Sequence, residues 1–119
     1  MRFGDVLKGM VNSIDGGLAG AIIGRDGIAV AHYMRQDRFY DTESLAVLYN
    51  KIIEEIKNIT EVLNTGDIDE VAISARDSMV FMRLINERYF MVLIVKNGEI
   101  HGKARFVLKK TALMIADEF

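Results

Sequence analysis

The stretch DGGLAGAIIGRDG (Asp15–Gly27) places five glycines in thirteen residues, and its reading decides the fold. A glycine-rich loop that cradles phosphate hands the anion to a helix N-terminus, where free backbone N–H groups and the helix dipole meet it. Here Gly20 is followed by Ala21, Ile22 and Ile23, then by Arg25, Asp26 and Gly27, and no Lys-Ser or Lys-Thr pair opens a helix. The glycines are therefore read as architectural. Gly16 and Gly17 stop a helix, and Gly20 sits in a strand where a helix approaches closely. Gly27 completes an Asp-Gly hairpin turn with positive φ at both central positions.

Working outward, Phe3, Leu7, Met10 and Ile14 recur at three- and four-residue steps with Val6 and Val11 beside them, which is one face of a short helix. Leu18–Gly24 and Ile28–Met34 read as strands on either side of the turn. Residues 35–41 (RQDRFYD) are a polar loop. From Thr42 a long helix runs to about Asn64, with Thr42 as N-cap and Glu43 at the positive end of its dipole. Leu45, Ile52, Ile56, Ile59 and Leu63 form its central apolar stripe, widened by Ala46, Leu48, Tyr49 and Ile53. That arc is wider than one sheet face covers, so a second surface is expected on it.

Thr65, Gly66 and Asp67 close the helix, and strands Glu70–Arg76, Met79–Asn86 and Tyr89–Lys96 follow. The first alternates by period two; the last (YFMVLIV) is apolar throughout, as a strand covered on both faces must be. Asn97 and Gly98 turn into a final helix from Ile100 to Asp117, with Phe106 and Leu113 as a second stripe expected against the first helix. The order α-β-β-α-β-β-β-α gives an α+β fold, a five-stranded antiparallel sheet with helices on both faces.

At 119 residues, half of them hydrophobic, the chain is read as a single domain over 1–119 with a dense core. A net charge of −2 gives no overall attraction for nucleic acid. The absence of cysteine excludes disulfides, thiol nucleophiles and thiolate metal sites. No secretory signal and no membrane span is read, so the expected compartment is cytoplasmic. His32 and His101, the only histidines, have no ligand partner at metal spacing. Ser13, Ser44, Ser74 and Ser78 lie in no nucleophile motif, and the carboxylates Glu54, Glu55 and Glu61 read as a solvated helix face. No catalytic, cofactor or metal residues are assigned, and the expectation is a protein that is not an enzyme. Lys103, Arg105, Lys109 and Lys110 make a basic side on the last helix, read as solvated.

LAGAIIGRDGIAVAH (18–32) resembles the small-residue strand, Asp-Gly hairpin and second strand of the roadblock/dynein light chain family. YFMVLIVKNGEIHGKARFVLKKTALMIADEF (89–119) is similar to that family's last strand, Gly-x-x-Arg turn and C-terminal helix. The nearest likeness is to the MglB-like prokaryotic branch. The resemblance implies a profilin-like sheet of order 2-1-5-4-3, with the long helix on one face and the terminal helices on the other. It implies homodimers in which third strands pair and long helices lie side by side. It further implies binding of a small Ras-like GTPase, whose hydrolysis some members promote without an arginine finger. Some members continue beyond the last helix whereas this chain ends at Phe119, so the expectation is firmer for GTPase binding than for activation. The alternative is a small-ligand or sensory domain with a pocket between sheet and helix.

Two surfaces follow as expectations. The dimer interface is assigned to Ala46, Tyr49 and Ile53 on the long helix, with Leu45, Ile52, Ile56 and Leu63 toward the sheet, and to edge residues Val71, Ala72, Ile73, Ser74 and Ala75. The GTPase surface is assigned to the remaining crown of the helix, Val47, Asn50, Lys51, Glu54, Lys57, Asn58 and Glu61.

Overall fold

A computed structural model of the chain describes residues 2–35, 40–98 and 101–119. The centre of the expected 35–41 loop and the expected helix start at Ile100 lie outside the described residues. The order is α1 (Phe3–Asn12), β1 (Gly17–Gly24), β2 (Ala29–Met34), α2 (Thr42–Leu63), β3 (Glu70–Ser74), β4 (Ser78–Leu84), β5 (Tyr89–Lys96) and α3 (His101–Ile115), then a 3-10 turn, Ala116–Glu118. The strands form one antiparallel sheet of order β2-β1-β5-β4-β3.

β5 lies in the middle of the sheet, and its unbroken apolar run serves both faces by period two. Met91, Leu93 and Val95 meet Leu7, Met10, Val11 and Ile14 of the α1 segment and Ala104, Leu108 and Ile115 of α3. Phe90, Val92 and Ile94 meet Ala46 and Ile53 of α2 on the other side. The terminal helices thus share one face and α2 holds the other.

The glycines around β1 explain how α1 comes so close. A Cβ on Gly20 would lie 2.9 Å from Met10 Cε and 3.2 Å from Val11 Cγ2, and one on Gly17 would collide with the Val11 carbonyl oxygen. Two details differ from the sequence reading. α1 ends at Asn12 with Ser13 as its C-cap, so Gly16, at φ 85°, turns the chain into the strand rather than capping the helix. In the hairpin only Gly27 has positive φ, 86°. Gly27 N–H donates to the Gly24 carbonyl (2.9 Å) and Gly24 N–H to that of Ile28 (2.8 Å), a three-residue turn closed by a glycine bulge.

The N-cap of α2 is Asp41, one residue before Thr42. Its carboxylate accepts from Ser44 N–H (3.3 Å) and Ser44 Oγ (2.8 Å), and these bonds hold its pKa below the ordinary 3.8. Asn64 ends the helix in the left-handed conformation, φ 55°.

β3 is shorter than expected, stopping at Ser74. Ala75 lies just past the strand with its backbone turned inward: its N–H donates to the Ser78 carbonyl (2.9 Å) and its carbonyl accepts from Asn97 Nδ2 (2.7 Å). Phe106 and Leu113 do not meet α1; each is 65% exposed. At the chain ends, Phe3 stacks on Phe119 at 4.9 Å between centroids, and Phe119 lies 4.4 Å from Tyr89.

Candidate protein-binding surface

The outer surface of α2 divides into three strips. The inner strip holds Ala46 and Ile53, at 0% and 1% exposure, with Tyr49 half-buried beside them. All three pack on the sheet within one chain. This corrects the expected phase: Ala46 and Ile53 are core residues and cannot face a partner helix. The smallness of Ala46 is the physical reason, because it lets the helix backbone settle on the sheet. Burial, with a smaller contribution from neighbouring Tyr40, pushes the Tyr49 phenol pKa up.

The second strip is apolar and open. Leu48, Ile59, Val62 and Leu63 are exposed, Val62 to 85%, and Leu45, Ile52 and Ile56 are half-buried. Leu63 was expected on the sheet and stands in solvent instead. Leu45, Leu48, Ile52, Glu55, Ile59 and Val62 step along the helix by three and four, the spacing of a coiled-coil seam. The sequence reading missed this strip as a unit, although the spacing was its signal.

The third strip is the expected crown. Val47 is exposed against the hairpin, its Cγ2 3.8 Å from where a Cβ on Gly27 would stand. Asn50 is half-buried; its Nδ2 donates to the Arg25 carbonyl (2.8 Å) and its Oδ1 accepts from Arg25 Nε (3.1 Å). Arg25 Nη2 also pairs with the Glu54 carboxylate. Arg25 thus ties the hairpin to α2, and Asn50 and Glu54 have partners within the chain. Lys51, Lys57, Asn58 and Glu61 are exposed, and no ion pair involves them among the described residues.

The free edge completes the picture. Leu84 N–H bonds to the Asp69 carbonyl (3.2 Å) and Ala75 N–H to that of Ser78, which makes Val71 and Ile73 the residues whose backbone faces β4. The backbone groups of Glu70, Ala72 and Ser74 therefore point outward. On the α2 face of this edge, Val71 is half-buried and Ile73 exposed.

No catalytic arrangement accompanies these surfaces among the described residues. His32 is exposed on β2, and His101 lies edge-on to Phe81 at 6.1 Å. No group of three or more His, Cys, Asp or Glu able to hold a metal ion occurs among the described residues. Glu70 accepts a hydrogen bond from Arg83 Nη1 (3.2 Å) and forms an ion pair with Arg105 (3.1 Å), and Arg105 lies over the Phe81 ring at 5.5 Å, which fastens α3 to β3 and β4. A more open cleft lined by Ile53 and Lys57 of α2 and by Arg25, Asp67 and Leu84 has a volume of about 250 Å³, whereas the cavity lined by His32, Met34, Tyr40 and Tyr49 between α2 and the sheet has about 20 Å³. The latter has room for about one water, far below the ~300–1,000 Å³ of small-molecule sites. No described helix is long and apolar enough to cross a membrane.

An antiparallel sheet of this order, with one long helix across one face and two terminal helices on the other, defines a roadblock-type fold. No protein-family model matches the sequence, and no curated protein matches it. Solved structures do. MglC from Myxococcus xanthus is 32% identical over 100% of both chains, with a TM-score of 0.70. A roadblock/LC7 domain from Streptomyces avermitilis superposes with a TM-score of 0.89 at 9% identity, over 99% of this chain and 98% of that one. MglB of Myxococcus xanthus gives 0.88 at 17% identity, over 98% and 93%. The chain belongs to the roadblock family, with an MglB-like fold.

Proposed function

We propose that this chain, as a single roadblock-like domain over residues 1–119, is a non-catalytic homodimeric regulator or scaffold that binds a small Ras-like GTPase in the cytoplasm. The observation that carries the dimer is the bare apolar seam of α2, Leu48 through Val62, on the same sheet face as Val71 and Ile73 of the edge strand β3. An open edge and an apolar helix face are both costly to leave in water. A two-fold axis normal to the sheet joins the β3 edges and brings the α2 seams together in one step. Edge and seam together suffice for a standard interface of about 1,600 Å². Within the expected edge set, Ala72 and Ser74 supply backbone groups, Val71 and Ile73 supply side chains, and Ala75 drops out. In place of Ala46 and Ile53, the helix contributes Leu48, Ile52, Ile59 and Val62.

The GTPase reading is supported by family membership and by the crown that dimerisation leaves free. Lys51, Lys57, Asn58 and Glu61, with Val47 and the Arg25–Glu54 rim, would double by symmetry into a mixed-charge platform. One GTPase per dimer would sit across it, off-centre. Promotion of hydrolysis is the finer step; it would act through the GTPase's own residues.

The experiment has two arms. Light scattering at micromolar concentration reads the dimer, and a monomer there refutes that part. Binding of the cell's Ras-like GTPases in GTP-analogue and GDP forms is then compared with Val47→Glu/Lys51→Glu, a pair chosen because neither residue anchors Arg25. Affinity at least about tenfold lower in an intact dimer supports the platform; undiminished affinity moves the site elsewhere. Phosphate release with and without the dimer tests activation.

A further inference from the structure

We infer that the outward face of α3 is a docking surface for an anionic lipid bilayer. α3 turns Ala104, Leu108, Thr111, Ala112 and Ile115 to the sheet. On the opposite side Phe106 and Leu113 stand two turns apart, each 65% exposed. Lys103, Lys109 and Lys110 are exposed on the flanks of this pair. Apolar centre and cationic flanks together are the pattern of a helix lying in a membrane interface, with lysine stems along the acyl boundary and ammonium groups at the headgroups. Charge complementarity selects an anionic surface over a neutral one.

The shape favours a bilayer over a peptide. Side chains that line a groove are not two-thirds exposed, whereas Phe106 and Leu113 project from a convex ridge that a plane can meet. Arg105 takes no part, because Glu70 and the Phe81 ring hold it. That hold fixes the rotation of α3 and keeps Phe106 and Leu113 outward. On α1, on the same side of the sheet, Lys8 and Asp5 are both exposed and offset one another, so the cationic character rests on α3. The acidic residues Asp117 and Glu118 lie beyond the end of the helix, in the 3-10 turn. The sheet places this face opposite α2, so membrane contact leaves the α2 surface open. The inference does not rest on dimerisation or on GTPase binding.

The test is co-sedimentation of the full chain with phosphatidylcholine vesicles, pure or carrying about one-quarter phosphatidylglycerol. Binding to the anionic vesicles only, weakening as salt rises, is expected. Phe106→Ser/Leu113→Ser and Lys109→Glu/Lys110→Glu should each lower the bound partition by about tenfold or more, with circular dichroism and melting unchanged. The chain has no tryptophan, so Phe106→Trp is a clean reporter should a double variant fail to fold. Its emission should shift to the blue on anionic vesicles and stay put with polyglutamate. Equal binding to both vesicle types, no binding, or an unmoved emission from the Phe106→Trp variant overturns the inference. Retention by polyglutamate without vesicle binding gives the face to an acidic protein partner and also overturns it. A dimer that binds its GTPase and ignores vesicles refutes this inference alone.

Discussion

Ile53 and Ile59 sit on the same helix, one buried and one exposed, and the proposed dimer gives them opposite duties that two substitutions separate. Ile53 is 1% exposed and packs in the core under α2. Truncation to Ala there removes buried methyl groups and leaves a cavity, at a cost of about 2–5 kcal/mol. Total stability in domains of this kind is only about 5–15 kcal/mol, so the loss is a large share. At roughly 4 °C per kcal/mol for a chain of this size, Ile53→Ala should melt about 8–20 °C below the wild type. That shift should not depend on protein concentration. Ile59 is 54% exposed on the open strip. In a single chain, Ile59→Asp should change stability by no more than about 0.5–1 kcal/mol. In the proposed dimer the same change buries a charge in an apolar seam, so the variant should elute as a folded monomer. Its melting temperature should lose the concentration dependence that association confers. Thermal melts followed by circular dichroism over a range of concentrations, with light scattering on the same samples, read both effects. The reasoning fails if Ile53→Ala melts within a degree or two of the wild type, or if Ile59→Asp stays a dimer whose melt keeps its concentration dependence. A wild type whose melt is independent of concentration would refute the dimer and leave the helix phase standing.

Gly17→Ala should prevent folding or reduce soluble yield severely, because its Cβ meets the Val11 backbone; Gly20→Ala should be milder, since flexible Met10 Cε can move aside. Expression and melting of the two variants decide it. Asp41→Ala should melt below the wild type at pH 7. The Asp41 carboxyl has a folded-state pKa lowered below 3.8, so its contribution is full above 3.8 and is lost as pH falls through the folded value. The gap between the two melts should therefore close only at pH below 3.8. Glu55→Leu should tighten the dimer by about tenfold or more in sedimentation equilibrium, as an apolar residue replaces a charge in a helix seam.

The element order was legible because hydrophobic period and turn chemistry agree along most of the chain: alternation in β3, the unbroken run of β5, the glycine after β1. The phase of α2 was not legible, for a reason visible in its residues. Ala46, Tyr49 and Ile53 make one stripe, and Leu45, Leu48, Ile52, Ile59 and Val62 another, both at three- and four-residue steps, with the half-buried Ile56 between them. By size the second stripe looks like the core. The sheet takes the first because Ala46 permits a close approach, and that preference depends on the distance between layers, which no helical pattern encodes. The Arg25 latch was hidden for a related reason. Arg25 reads as a turn residue, and its bonds to Asn50 and Glu54 exist only once α2 has crossed over the hairpin. Phe106 and Leu113 were misplaced by assuming that a second apolar stripe needs a neighbouring helix; α1 lies nearer to β1 and β2, and leaves that side of α3 open.

Glu55 shows how the open strip of α2 carries information beyond hydrophobicity. In the proposed dimer, a two-fold axis normal to the sheet would make the two α2 helices antiparallel on the same face. With the seam centred on that axis, Leu45 lies opposite the partner's Val62, Leu48 opposite the partner's Ile59, and Ile52 opposite the partner's Glu55. Leu45 and Leu48 then meet apolar partners, and the two carboxylates flank the axis, each beside an isoleucine. Sliding one helix by three residues sets Glu55 opposite the partner's Glu55, two like charges in contact, and breaks the other matches. A polar residue in an apolar seam lowers affinity while fixing register. Glu55→Leu should therefore do two things at once: strengthen association and loosen its geometry. The second effect distinguishes this account from simple removal of a charge. Cysteines placed at 48 and 59 should cross-link across the wild-type dimer as 48–59 pairs only, whereas in the Glu55→Leu background other pairings should appear. Equal selectivity in both backgrounds would mean that the β3 edges alone set the register.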